Sequence, residues 1–335
     1  MAAVKRLMVG FAGLVEAAAD RWLSRYCPAR SSAALLAVSK LSPAVVVTGG
    51  SAGIGLAIAA EFNRRGRPVL LIARDAARLD TAAASVQLTT NGTPTATAST
   101  ATASTATAST ATASTATAAT ATPSTVATLT LDVTDPEAFA RINGALEHHG
   151  WYCDILVNAA ACGLSGPLLE QDPAAVEKLN EVNVTALTRL TRAALPAMTE
   201  RCRGGVINVG SLGGYVPGPH QAAYYASKAY VASLTAALRA ETAGCGVRIM
   251  ELAPGPVETG FHAAMGAETA LYRQLLPAMS SERVARAAII GFAFGRGVVV
   301  PGFMPKLLAV AVSVLPNALT VPVVAVLLRN RPSPS

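Results

Sequence analysis

The chain has 335 residues, 52% hydrophobic and 14% charged, with a formal net charge of +7 and a mean hydropathy of +0.42. That length holds one large core or two modest ones. The arginines are scattered and aromatics are few, which excludes a basic nucleic-acid arm; the positive balance suits an anionic cofactor or an anionic surface. The five cysteines (Cys27, Cys153, Cys162, Cys202, Cys245) form no CxxC or Cys/His cluster, so they read as reduced thiols with no metal site.

Residues 1–42 are an Ala/Arg-rich extension. Leu7, Phe11, Leu14, Val15, Ala18 and Trp22 recur at helical spacing, which predicts one apolar face. Lys5-Arg6 and the apolar run after it mimic a signal peptide, but Glu16 interrupts the run and an amphipathic helix is favoured. Residues 43–305 alternate strand and helix signals. "AVVVTGG", "PVLLIAR", "ATLTLDVTD", "DILVNAA", "GGVINVGS" and "VRIMELAPG" are short apolar runs, each bounded by turn signals. Continuous rather than alternating apolar strands predict an α/β domain with a parallel sheet covered by helices on both faces.

Residues 89–125 interrupt that domain with "ATAST" repeats. A stretch of Ala, Thr, Ser and occasional Pro cannot bury enough surface to offset ordering, so it is expected to be a disordered insert in a surface loop. The tail, 306–335, contains "LLAVAVSVLPNALTVPVVAVLL" from Leu307 to Leu328, uncharged and bracketed by Lys306 and Arg329. As a single helix it would reach about 33 Å, near the hydrocarbon thickness, yet Pro316 and Pro322 oppose a straight helix. Three readings stay open: a spanning segment, an interfacial helix pair, or helices packed on the domain or on a second subunit. The expectation is an element at a membrane surface that can be removed without loss of activity.

"TGGSAGIG", Thr48–Gly55, follows the first strand and opens a helix. A dinucleotide loop needs that context: Gly49 turns the chain, Gly53 lets backbone approach the pyrophosphate, and Gly55 packs helix on strand. The second strand ends at Ala73-Arg74. An acidic residue there would select NAD; alanine followed by a guanidinium favours a 2′-phosphate and hence NADP(H). Tyr224 and Lys228 stand four apart, on one helix face. The spacing predicts that the ammonium eases ionisation of the phenol.

These motifs resemble the short-chain dehydrogenase/reductase family in its NADP-preferring bacterial-type subgroup. Thr48–Gly55 looks like its TGxxxGxG loop and Tyr224–Lys228 like its YxxxK signature. Ser211, thirteen residues before Tyr224, stands where the family keeps its catalytic serine. Asn183 matches the helix asparagine, Asp132 the aspartate near the adenine, and Pro254–Phe261 the loop that reaches the nicotinamide. The resemblance implies a Rossmann-type doubly wound parallel sheet with a Ser211-Tyr224-Lys228-Asn183 tetrad. It also implies cofactor contacts at Thr48, Gly49, Ser51, Gly53, Ile54, Gly55, Arg74, Asp132, Asn158, Tyr224, Lys228, Pro254, Gly255, Val257 and Thr259. One motif departs: the family's NNAG reads Asn158-Ala159-Ala160-Ala161 here, which puts the backbone at Ala161 in question, with Gly163 close enough to absorb a turn.

The implied activity is NADP(H)-dependent interconversion of a ketone or aldehyde and an alcohol. Apolar residues from Phe261 to Met279 point to a lipophilic substrate, with His262 and Arg273 expected at the surface. The implied partners are a small carbonyl or alcohol, a membrane surface through 307–328, and a second copy in a homo-dimer or tetramer; the implied location is cytoplasmic. The competing reading is a membrane-tethered dinucleotide-binding scaffold or sensor without turnover.

Overall fold

The computed structural model describes residues 37–91, 125–267, 269–275 and 277–329. The amphipathic reading of 1–36 and the repeats of 92–124 lie outside the described residues.

Seven parallel strands form one sheet in the order β3-β2-β1-β4-β5-β6-β7. They are β1 Ser42–Thr48, β2 Val69–Ala73, β3 Val126–Thr130, β4 Trp151–Asn158, β5 Gly204–Val209, β6 Val247–Leu252 and β7 Val298–Val299. The connecting helices are α1 Gly53–Asn63, α2 Ala76–Asn91, α3 Ala138–His148, α4 Pro173–Asn180, α5 Leu187–Glu200, α6 Ala222–Glu241, α7 Phe261–Ala264, α8 Leu271–Leu275 and α9 Ser281–Ala293. Successive residues of β1 face opposite sides, as the pleat requires. Val45 and Val47 join a core with Ile58, Phe62, Leu71 and Phe292; Ala44 and Val46 join another with Leu70, Ile142, Leu156 and Leu190. This is the Rossmann-like single domain that the apolar strands predict. Chain order reverses between β1 and β4, and in such sheets ligands bind beyond the strand C-termini at that point.

The tail does not form one helix. It folds as α10, Phe303–Val314, and α11, Asn317–Leu328, with the break at Leu315-Pro316. Each has twelve residues, and no helix among the described residues is long and apolar enough to cross a membrane. Proline fixes φ and lacks an N–H, so the break falls where the sequence places it. The spanning reading is thereby overturned. The hairpin packs on the domain instead, α10 on the 3₁₀ turn Leu212–Tyr215 and α11 on α8. Because α10 begins at Phe303, the boundary drawn at residue 305 falls inside a helix.

Candidate active site

The sheet's C-terminal edge opens into a cavity of about 1010 Å³. One end is built by the glycine-rich loop. Gly49 has φ +66°, a left-handed conformation that side chains resist, and a Cβ there would stand 2.8 Å from the Ala160 nitrogen. At Gly55 a Cβ would sit 2.4 Å from the Gly49 carbonyl oxygen, so α1 meets β1 only through glycine. No side chain caps the N-terminus of α1 and its first turn has no acidic residue. Its N–H groups and positive dipole therefore face the cavity, an arrangement that fits a pyrophosphate. Thr48 lies behind the loop, where its Oγ1 accepts from the Ala159 and Ala160 nitrogens, both at 3.2 Å.

Ser51, Gly53, Ile54, Arg74, Asp132, Ser211, Tyr224, Lys228, Pro254, Gly255, Val257 and Thr259 all line the same cavity, as do Gly49 and Gly55. Sequence reasoning missed Arg78, which lines it too. It stands one helical turn after Arg74, and Asp75 accepts a hydrogen bond from its backbone nitrogen at 3.0 Å. The four-residue spacing was the available signal. Asp132 is pushed up by burial, but hydrogen bonds from Thr134 and Lys178 outweigh this and hold its carboxyl below the usual range.

Two other predicted residues stand behind the wall. Asn158 donates to Thr191 Oγ1 at 2.9 Å and to Asn208 Oδ1 at 2.8 Å, tying β4 to α5 and β5. Its side chain steadies the sheet, and the backbone after it faces the cavity. Ala161 shows no positive φ, so the alanine that replaces the family's glycine needs no strained turn. Gly163 instead makes room for an aromatic ring, since a Cβ there would stand 2.9 Å from Phe261. Asn183 lies in a π-helical turn, Glu181–Ala186, a geometry common at functional sites. Its amide accepts from the Cys162 nitrogen and donates to the Cys162 oxygen, each at 2.8 Å, and donates to Ser227 Oγ at 3.0 Å.

Tyr224 and Lys228 share one face of α6, with the Lys228 nitrogen 5.7 Å from the Tyr224 ring centre. Lys228 Nζ donates to the Val209 carbonyl at 2.9 Å. Burial pushes the Tyr224 phenol up to about 12, while the Ser211 hydroxyl pulls it down. Burial also brings Lys228 down to about 8, opposed by Glu251 and Cys162. Burial sets the direction at both groups, so the eased ionisation of the phenol that the spacing predicts is not seen. Ser211 Oγ accepts from the Gly213 nitrogen at 3.1 Å, which leaves its proton free to donate. Tyr225 packs against Gly213 and Gly218, as a supporting residue should.

The other end of the cavity is apolar. The Phe261 ring lies tilted against the Tyr224 ring, centroids 5.6 Å apart, and Met265 is buried beside it. His262 is not at the surface: it lines the cavity and pairs its Nδ1 with the Tyr272 hydroxyl at 2.8 Å. Burial, helped by Arg273, lowers its pKa to about 4. The tail contributes Leu308, Val312, Leu315, Leu319, Val323 and Leu327 to the lining, a role that no local pattern in 303–329 announces.

A protein-family model described as short chain dehydrogenase matches residues 43–117 and 95–270. A short chain dehydrogenase of Pseudocercospora fijiensis is 34% identical over 217 residues, covering 64% of this chain and 59% of that relative. The 2-(S)-hydroxypropyl-CoM dehydrogenase 3 of Xanthobacter autotrophicus is 32% identical over 252 residues, covering 75% of this chain and 82% of the relative. A short-chain dehydrogenase from Sphingobium yanoikuyae, solved in complex with NADPH, superposes with a TM-score of 0.62 at 27% identity, over 80% of this chain and 92% of that one.

Proposed function

Because the chain belongs to the short-chain dehydrogenase family, we propose that it interconverts a lipophilic ketone or aldehyde and its alcohol with NADP(H), Tyr224 serving as general acid and base. The observation that carries the reading is convergence: Ser211, Tyr224 and Lys228 line the same cavity as the glycine-rich loop and the uncapped start of α1. Arg74 just after β2 and Arg78 in the first turn of α2, with no carboxylate at Ala73, favour a 2′-phosphate over a bare ribose. When bound, the nicotinamide supplies or accepts the hydride.

The chain's own residues manage the proton and the position. Ser211 Oγ donates to the substrate oxygen and stabilises charge that develops there. Tyr224 gives its phenolic proton to that oxygen during reduction and takes it back during oxidation. Burial keeps the phenol protonated near pH 7, the state from which reduction starts. Lys228 would hold the ribose hydroxyls and resupply Tyr224, and a lysine brought to about 8 exchanges protons more easily than a free one. Asn183 anchors the Cys162 backbone and Ser227; a water held in that turn would link Lys228 to solvent. Phe261 and Met265 exclude other water from the reacting atoms.

The reading extends to location. The outer side of the hairpin exposes Phe303, Met304, Leu307, Val310, Val314 and Val326. No acidic residue occurs from 303 to 335, and Lys306 and Arg329 are exposed. An apolar patch with cations and no anions suits an anionic lipid surface on the cytoplasmic side. The decisive assay is NADPH oxidation by the full-length protein with a panel of bulky ketones. Turnover supports the reading; tight NADPH binding without turnover of any ketone favours the scaffold.

A further inference from the structure

The buried run of β6, Ile249 to Leu252, holds one charged residue, Glu251, and it is 1% exposed. An apolar side chain would serve the core there at lower cost, because a carboxylate loses its hydration when buried. The Tyr215 hydroxyl donates to Glu251 Oε2 at 2.7 Å. Oε1 has no hydrogen-bond partner among the described residues. That oxygen lies against Gly210, where a Cβ would collide with it. Room is thus kept for a carboxylate directly beside the segment that carries Ser211. A buried carboxylate oxygen without a donor is costly unless a nearby cation compensates it.

The cation is Lys228. Its Nζ donates to the Val209 carbonyl at 2.9 Å, one residue before the glycine against which Glu251 Oε1 rests. The two charges act on each other through space: Glu251 raises the lysine, and Lys228 lowers the glutamate, each in opposition to burial. The other titratable groups around Lys228 supply no such charge near pH 7. Cys162, in the loop after β4, also acts on the lysine, but burial pushes its thiol up and keeps it neutral. Burial likewise pushes up Tyr224 and Tyr225 on α6 and Tyr215 beyond β5. Lys178 of α4 pairs with Asp132, and Glu181 of the π-helical turn pairs with Arg189. That leaves Glu251 as the source of negative charge at Lys228.

We propose that Glu251 is a positioning residue for the reaction: its carboxylate, fastened by Tyr215 and seated against Gly210, holds Lys228 as an ammonium beside Tyr224 and so keeps it able to return the proton that reduction consumes. The inference rests on the carbonyl-reductase reading, in which Lys228 resupplies Tyr224, and adds what keeps the lysine charged in a buried place. Burial alone drives an amine toward its neutral form, and an anion nearby opposes this. Removing the anion therefore lowers the pH at which Lys228 gives up its proton.

The chain has five lysines, Lys5, Lys40, Lys178, Lys228 and Lys306, so NMR of the full-length protein labelled at the lysine ε-carbon can follow each one. Lys228→Arg identifies the Lys228 signal by its loss. The titration midpoint of that signal should lie at about 8 in the unmutated protein. In Glu251→Gln, which keeps the shape and the bond from Tyr215 but removes the charge, it should fall by roughly one to two pH units. Glu251→Asp keeps a charge and should stay closer to the unmutated value. The unmutated Lys228 signal should also show a smaller second inflection on the acid side, where Glu251 takes up its proton, a readout that needs no variant to fold. An unmoved midpoint in Glu251→Gln overturns the proposal, as does the lack of an acid inflection, and either leaves Glu251 as a strut for Tyr215. NADPH oxidation by a bulky ketone, read over the same pH range, should lose kcat at correspondingly lower pH in Glu251→Gln; a midpoint that moves while this limb stays in place overturns the role in turnover. The shifted midpoint in a protein that turns over no ketone keeps the hold of Glu251 on Lys228 and removes the reductase. Turnover with an unmoved midpoint keeps the reductase and removes the role of Glu251.

Discussion

The two ends of the cavity are built by different rules. At the cofactor end, backbone geometry decides: Gly49 and Gly55 are fixed by contacts shorter than any side chain allows, and Tyr224 and Lys228 by the pitch of one helix. At the other end, mainly aromatic side chains from α7 and α8 and aliphatic ones from α10 and α11 meet across long separations in sequence. The first end tolerates almost no change and binds one kind of ligand. The second can exchange side chains of similar volume and so alter what fits. A frame that holds its chemistry rigidly can vary its specificity through an added hairpin.

The sharpest way to break this contrast is Tyr224→Phe. Loss of the proton donor should lower kcat about a hundred- to ten-thousandfold, with NADPH affinity unchanged by fluorescence titration. Tyr225→Phe should cost little, because that ring packs on Gly213 and Gly218; if it proved the lethal change, the division of labour would be wrong.

Next in size are changes at either end. Arg74→Asp should weaken NADPH binding about ten- to a hundredfold by exchanging a charge-assisted contact for repulsion, and leave NADH nearly unaffected. Equal affinity for both cofactors in the unmutated protein would remove the premise. A chain ending at Gly302 should bind NADPH normally yet show KM for bulky ketones raised about ten- to a hundredfold, through loss of one or two large apolar contacts. This replaces the expectation from sequence that the tail is dispensable for activity. Fractionation of the same two proteins tests the outer face: the full-length chain should pellet with anionic vesicles and the shortened one should not. If instead the shortened chain only loses an oligomeric state, the outer face is a subunit contact.

A smaller effect should appear with pH. The His262 imidazole in the unfolded chain takes a proton near 6.5, whereas the folded one resists until about 4. The unfolded state then binds more protons between those values, so stability falls as pH drops through that window. The melting temperature of His262→Gln should fall less steeply there than that of the unmutated protein. Smallest of all is deletion of Ala96–Thr120, which should leave activity and melting temperature nearly unchanged, because shortening a long loop alters closure entropy only slightly.

The uneven legibility of the sequence has the same physical origin. Thr48–Gly55 and Tyr224–Lys228 could be read because their geometry is local and their residue types are nearly forced. Asn158 was recognised, but its partners Thr191 and Asn208 are set by sheet and helix packing. Ala161 raises a question of backbone geometry in a motif otherwise read as a tolerated variant, and its backbone does not need the freedom of glycine. The tail stayed ambiguous because an uncharged run says only that it must be covered. Residues 303–329 needed the fold to show that their inner side lines the cavity.

The π-helical turn at Glu181–Ala186 sets a phase. Upstream of its end, Asn183 must point toward Cys162 and Ser227; downstream, Thr191 must point toward Asn158. An α-helix advances about 100° per residue, so one residue more or fewer rotates one group by that angle relative to the other. The wide turn works as a gear tooth that lets Asn183 and the sheet-supporting threonine engage different partners on one continuous rod. Deleting a single residue there would leave the helix intact and put its two ends out of step.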